Sequence, residues 1–395
     1  MASYELIVNS GSASKKYGLS TKGVLLASAH LEHSTGGLEF SISIGDKKRV
    51  HTITADQKTE APLIFISQCV KHGLLNGVAE VTRVLFRIVA PSSHFASHKV
   101  ITTATKVRLR SLEALAVSHI RPILEDIEDI EKMFVGRALV GISDSAYHRT
   151  MPEIARTYAL DPELAATHDV YRFGYHGLSV AGIVRELYAN KRAQERMIVI
   201  HVGGGVSVTA VRDGLSVETS MGFMPLTGVP MATRAFDLDV GGFIQLMLHS
   251  GEGTERLIRR LYHESGLINY ANIGHGGFKE LLVASKVGNH NATQALSKYS
   301  YHMRKEIAAQ VAVLGGVDMI ILTGTALSRS PRLRQMTLDG LKHLGIQLDM
   351  DKNREPETEG VISVENSSII EILGTREMNE MASIVEEMSF YTIPN

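Results

Sequence analysis

Val199-Ile200-His201-Val202-Gly203-Gly204-Gly205-Val206-Ser207-Val208-Thr209-Ala210-Val211-Arg212-Asp213-Gly214-Leu215-Ser216-Val217-Glu218 is the stretch that decides the fold. Residues 199–202 form a short β-branched run, the mark of a buried strand. Three glycines end it. Residues 206–211 alternate as a second strand, Arg212-Asp213-Gly214 is a turn, and residues 215–218 make a third strand. Glycines at the first hairpin tip leave no side chain in the way, so a phosphate could approach the backbone N–H groups there. An ordinary flexible hairpin explains them equally well.

The same device opens the chain. Leu6-Ile7-Val8 is a strand, Asn9-Ser10-Gly11-Ser12-Ala13-Ser14 is a small hydroxyl-rich loop, and Lys15 and Lys16 follow. A further strand begins near Tyr17 and turns at Lys22-Gly23. A short repeat period would mean a solenoid; a period near half the chain predicts two related domains. A third strand–glycine junction is Met319-Ile320-Ile321-Leu322-Thr323-Gly324. Between these points strands and helices alternate. Helices are expected over 61–72, over 109–124 up to a turn near Pro122, and over 176–189, 243–249, 254–263, 292–314 and 377–388. Strands are expected over 83–89 and 139–142, with strand-like runs in 361–372. The pattern predicts an α/β protein with ligands at strand ends.

The 395 residues exceed what one core usually holds. The expected division is 1–148 with a C-terminal helix, 376–395, returning to it, and 149–375 as the second domain, with the active site between the halves. Hydrophobic content of 44% and charged content of 21% suit a soluble globular protein. The net charge of −1 gives no global field for nucleic acid or an anionic membrane. One cysteine, Cys69, excludes an internal disulfide and a multi-cysteine metal site. No secretory signal and no membrane-spanning run is visible, so a cytoplasmic location is expected.

Candidate functional residues cluster at the strand ends. Thr219-Ser220-Met221-Gly222-Phe223-Met224-Pro225-Leu226-Thr227-Gly228-Val229-Pro230-Met231-Ala232-Thr233-Arg234 carries a single charge, Arg234, which is either solvated or aimed at a carboxylate or phosphate. Arg87 lies in an otherwise apolar strand and needs a partner. Asp144 follows a buried strand, where it could hold a divalent metal or cap a helix. His176 sits between Gly174 and Gly177 and is either structural or in contact with a ligand. Asn9 could orient a phosphate or close a turn.

These residues resemble the acetate kinase family, within the actin, hexokinase and chaperone-ATPase superfold. The resemblance is carried by Asn9-Ser10-Gly11-Ser12-Ala13-Ser14, Asp144-Ser145-Ala146-Tyr147-His148-Arg149-Thr150-Met151-Pro152 and Arg172-Phe173-Gly174-Tyr175-His176-Gly177-Leu178-Ser179. The long ordered segment 219–234 is its strongest part. It implies a two-domain actin-like, ribonuclease H-like duplicated fold with an interdomain cleft. It implies reversible phosphoryl transfer from ATP to acetate or another short acid, Mg2+ as cofactor, and a homodimer. It implies that Arg87, Asp144, His176, Arg234 and His119 are catalytic. Val89, Ser118, Tyr175 and Pro225 match the wall around the acid's methyl group. Asn9, Ser12, Ser14, Lys16, His201, Gly203, Gly204, Gly205, Gly277, Phe278, Lys279, Gly324 and Thr325 match phosphate and nucleotide contacts. Asn9 and Glu377 match the metal site, with Glu380 as the alternative to Glu377.

The departures fall mainly on the nucleoside side. Gly276-Gly277-Phe278-Lys279-Glu280 replaces a family stretch with an aspartate and an arginine, and Gly324-Thr325-Ala326-Leu327-Ser328-Arg329 replaces a glycine-rich loop. Gly204 stands for an asparagine, and Ala90-Pro91-Ser92 replaces a histidine and two glycines after Arg87. Loose nucleotide selectivity follows as an expectation. A donor such as pyrophosphate, or an inactive binding relative, are the alternatives. Ser118 and Tyr175 place hydroxyls where the family has leucine and phenylalanine. Propionate or a small hydroxy acid is then expected to rival acetate, unless both hydroxyls bond to backbone.

Overall fold

The computed structural model describes residues 3–11, 14–34, 37–45, 47–54, 56–354 and 359–389. Ser12 lies outside the described residues, as do the side chains of Ser14 and Ser118. The chain divides into two units. One comprises residues up to Ala90, Ser97–Ala146 and the chain from Arg376; the other comprises Pro91–Ala96 and Tyr147–Thr375. The hexapeptide 91–96 groups with the second unit because Ser92 and Ser93 bond to the Asp169 carboxylate (Ser92 Oγ at 2.7 Å, Ser93 N at 3.0 Å).

In the first unit the strands are β1 (Tyr4–Ser10), β2 (Ser14–Thr21), β3 (Val24–Ser34), β4 (Gly37–Ile44), β5 (Lys47–Ile53), β6 (Val81–Ile88), β7 (Lys99–Val100) and β8 (Ala138–Ser143). They form one sheet in the order β5-β4-β3-β2-β1-β6-β8-β7. Strands β1 to β5 meander antiparallel, while β6 pairs parallel to both β1 and β8. Leu6, Ile7 and Val8 are all buried, as are Val84, Leu85 and Phe86. Unbroken apolar runs of this kind mark strands covered on both faces. Helix Ala61–Lys71 buries Phe65, Ile66 and Cys69, and the shielded Cys69 thiol is pushed up to about 12. Helix Val117–Met133 buries Ile120, Ile123, Ile127 and Ile130 at helical spacing. Helix Glu377–Ser389 packs on β1, β2 and β3 through buried residues that include Met381 and Val385.

The helix expected over 109–124 is instead two helices, Thr103–Ser111 and Val117–Met133. Pro122 does not end the second; it lies inside it. As the sixth residue it lies past the free N–H groups of the first turn, and the strong apolar stripe outweighs the lost bond.

In the second unit β9 (Arg196–Val202), β10 (Val206–Arg212), β11 (Leu215–Thr219), β12 (Met319–Thr323), β13 (Gly360–Val361) and β14 (Ile369–Ile372) form a sheet in the order β11-β10-β9-β12-β14-β13. Val180, Ile183 and Leu187 of helix Gly177–Ala189 pack with Met197, Val199, Val211, Met319 and Ile321 of the sheet. Helix His290–Leu314 packs on β9, β10 and β11.

The two sheets share a plan. Each has a three-strand antiparallel meander whose first strand is extended on its other side by two parallel strands. This gives β3-β2-β1-β6-β8 in one and β11-β10-β9-β12-β14 in the other. In each, the parallel strands end at one edge, where open α/β sheets collect ligands.

Candidate active site

In the first unit that edge carries a dense charge cluster. Asn9 lies at the end of β1, Arg87 at the end of β6, and Asp144 just after β8. The register sets Arg87 opposite Ile142, and the Asp144 amide donates to the Ile88 carbonyl at 2.9 Å. Arg87 Nη2 donates to Asp144 Oδ2 at 2.8 Å. Its Nη1 is 3.4 Å from Asn9 Oδ1 and 3.7 Å from Glu377 Oε1. Asn9 Nδ2 donates to Glu377 Oε2 at 2.9 Å, and Lys16 Nζ lies 4.0 Å from the same oxygen. Asp144 is fully buried, Asn9 is 3% exposed and Glu377 is 8% exposed.

Burial works against the Arg87 charge, but Asp144 and Glu377 outweigh it, so the guanidinium pKa moves up and Arg87 stays protonated. Arg87 Nε is buried with no partner. The Asp144 carboxylate is buried and grips Arg87. Glu377, at the first turn of the C-terminal helix, is the glutamate that reaches Asn9, Arg87 and Lys16. Glu380, one turn on, is also buried. His119 lies in the first turn of Val117–Met133 and Val89 just beyond β6, both half-buried.

In the second unit the cluster is built from imidazoles, hydroxyls and glycines. His176 is the N-cap residue of helix Gly177–Ala189, in the left-handed region (φ 60°). His176 Nδ1 is 2.9 Å from Ser207 Oγ, and His201 Nδ1 is 2.9 Å from Ser179 Oγ. The two rings stack with centroids 4.3 Å apart. Gly205 is where Arg234 and His176 meet. A Cβ there would lie 3.0 Å from His176 Nε2 and 3.2 Å from Arg234 Nη1. One at Gly203 would lie 3.2 Å from His201 Nε2, and Gly204 is exposed at the tip.

Arg234 is only 7% exposed. Its Nη1 donates to the Pro225 carbonyl at 3.3 Å, and its guanidinium lies 6.0 Å from the Tyr262 ring centroid. Burial pushes the Tyr262 phenol up, so it stays neutral beside the arginine. Tyr175 is buried and donates its hydroxyl to the Phe223 carbonyl at 2.6 Å. His148, part of the sequence motif, is buried between Ser216 Oγ at 2.9 Å and the Tyr175 carbonyl at 3.0 Å, where it fixes the neighbouring loop.

The residues expected on the nucleoside side spread differently. Gly324 follows β12 at φ 89°, and a Cβ there would lie 2.4 Å from the Val202 carbonyl oxygen, so only glycine fits. Thr325 is exposed. Phe278 packs in the core against Tyr299, with centroids 4.9 Å apart, so its side chain is not presented to a ligand. Lys279 is exposed. Gly277 N donates to Glu280 Oε2 at 2.7 Å, which caps helix Phe278–Lys286 with the chain's own carboxylate. No alternation or turn signal marked Glu280 in the sequence; a capping reading of the Gly277-to-Glu280 spacing could have found it.

The duplicated meander, the shared edge and the two clusters define an α/β protein of the two-domain actin-like class. Solved structures of that class align over nearly the whole chain. A propionate kinase from Francisella tularensis has a TM-score of 0.84 at 25% identity, covering 96% of this chain and 98% of that one. The Porphyromonas gingivalis acetate kinase has a TM-score of 0.80 at 28% identity, covering 99% and 100%. The acetate kinase of Heliobacterium modesticaldum is 33% identical over 359 residues, 88% of this chain and 90% of that protein. The model of the acetokinase family matches residues 4–384. The chain belongs to the acetokinase family.

Proposed function

We propose that this chain transfers a phosphoryl group reversibly between ATP and the carboxylate of a short-chain acid, giving an acyl phosphate and ADP. The observation that carries the proposal is the Arg87–Asp144–Asn9–Glu377 cluster at the strand ends of an acetokinase-family chain. A carboxylate is already ionised at neutral pH, so no general base is required. The site must align the reactants and hold positive charge around the transferring group. Arg87 and Arg234 supply fixed charge. In the tautomer where Ser207 donates to His176 Nδ1, the Nε2 proton would be a donor for the same group.

The donor set fits Mg2+. Asn9, Glu377 and Asp144 offer hard oxygens. No group of three or more His, Cys, Asp or Glu side chains that could cage a metal occurs among the described residues. Magnesium normally takes only one or two carboxylates, with substrate phosphates and water completing its shell. Bound by Asn9 and Glu377, it would neutralise charge on the donor phosphates.

For the acceptor, the Tyr175 hydroxyl donates to the Phe223 carbonyl, one of the two hydroxyls at stake. Pro225 is buried beside the arginine that its carbonyl engages. The Ser118 side chain lies outside the described residues, so propionate and small hydroxy acids stay candidates beside acetate. For the donor, exposed Thr325 and Lys279 and the self-capped helix at Gly277 support weak nucleoside selectivity, and with it a second reading in which pyrophosphate also serves.

A homodimer and a cytoplasmic location belong to the same proposal. Helix Val240–His249 buries none of its residues and exposes Val240, Ile244, Met247 and Leu248, an apolar surface suited to a second copy. No helix among the described residues is long and apolar enough to cross a membrane.

An acyl-phosphate assay with ATP, GTP and pyrophosphate against acetate, propionate, glycolate and lactate tests the reading. Turnover is expected with ATP and with acetate or propionate. No turnover with any donor would leave the inactive binding relative as the answer.

A further inference from the structure

The β1–β2 hairpin is gripped by a carboxylate on each side, and the family chemistry uses only one of them. In the ladder, Asn9 pairs with Lys16 and Ser10 with Lys15; the second is the last rung before the loop. Adjacent residues on a strand face opposite sides. Asn9 and Lys16 converge on Glu377. Ser10 Oγ and Lys15 Nζ both donate to Asp126, one to each carboxylate oxygen. The Asp126 side chain is 10% exposed and that of Lys15 is 20% exposed, so this contact is sheltered from water. Asp126 stands on helix Val117–Met133, whose buried Ile123, Ile127 and Ile130 fix it in the core.

We propose that Asp126 is a positioning residue. It clamps the final rung of the hairpin, so that Asn9 and Lys16 keep their aim when Glu377 turns to a ligand. The proposal rests on the kinase reading. The argument is mechanical. Ser10 with Lys15 is the last paired rung of this hairpin among the described residues. Glu377, shared among Asn9, Arg87 and Lys16, cannot serve both as anchor and as ligand. A charge-assisted bond to each arm of the hairpin supplies the anchor from the other face. Functional groups displaced by a fraction of an ångström lose much of their effect.

Steady-state kinetics of Asp126→Asn test this. The expected result is a rise of about tenfold in KM for the phosphoryl donor, the size of one lost charge-assisted bond, with kcat and the carboxylate KM within about twofold. Asp126→Glu should recover most of the donor KM. The double variant Lys15→Met/Asp126→Leu leaves no lone buried charge and should fold well, yet show the same donor KM shift. An unchanged donor KM, or a lowered melting temperature without a KM change, would overturn the clamp. If the wild-type chain transfers phosphoryl from no donor, the kinase reading fails. Amide hydrogen exchange across residues 9–16 then decides the clamp by itself. Faster exchange in Asp126→Asn supports it, and identical exchange removes it.

Discussion

The two units run the same strand order to opposite ends. In the first, the sheet edge is filled with charge: an arginine, a lysine and two buried carboxylates already locked together. In the second, the edge carries Gly203 and Gly205, with imidazoles, hydroxyls and one arginine against a tyrosine face around them. One copy of the scaffold carries assembled ion pairs; the other carries close-packed glycines, imidazoles and hydroxyls. The comparison shows that duplication of a fold need not duplicate a site.

That contrast breaks first at its two arginines. Arg87→Ala and Arg234→Ala should each lower turnover by about 100- to 1,000-fold, the usual effect of removing one donor aimed at developing charge. Lysine should rescue either poorly, because it lacks the planar fork. Steady-state rates with saturating substrates check this; near-wild-type turnover in one variant would assign that half a passive part.

Stability should separate the halves next. Arg87→Ala removes the ion-pair partner of buried Asp144 and one of the cations beside buried Glu377, and should cost about 3–5 kcal/mol. Adding Asp144→Asn should return part of it, since a neutral amide tolerates burial better than a lone carboxylate. Urea denaturation of the single and double variants measures the coupling. Equal stability of Arg87→Ala and wild type would mean the cluster is not preassembled.

A smaller effect concerns pH. Burial pushes the Glu306 carboxyl up from its ordinary 4.5, against the Gln310 amide that bonds it. A carboxyl whose folded value exceeds its unfolded one holds its proton more tightly when folded. It therefore favours folding below pH 4.5, and that contribution is lost as pH rises through the raised value. Glu306→Gln should gain stability relative to wild type over that window and keep the gain at neutral pH. A variant that tracks wild type at every pH would show that Glu306 ionises freely.

The smallest effect is expected at Tyr175→Phe. Its hydroxyl already bonds the Phe223 carbonyl, so the ratio of kcat/KM for acetate and propionate should stay within about twofold. A large swing would mean the hydroxyl turns towards the acid.

Much of this plan was legible in the sequence. The β-branched runs ending in small residues placed β1, β9 and β12, and the resemblance named Arg87, Asp144, His176 and Arg234. The strands β4 and β5 were passed over, although Leu38, Phe40, Ile42 and Ile44 alternate cleanly; serines and a glutamate between them diluted the apolar signal. Phe278 was matched by motif position, but local sequence carries no information on whether a ring faces the core. The partners of Arg87 lie on different strands and on a distant terminal helix, a fact of topology that no local pattern contains.

Gly205 has one further consequence. A single added methyl there would press on both the His176 ring and the Arg234 head while leaving every charged and titratable group in place. The chain thus carries a position where drift can silence chemistry without deleting any reactive group. An inventory of conserved acids, bases and arginines would score such a relative as intact. Its failure would be visible only as lost volume.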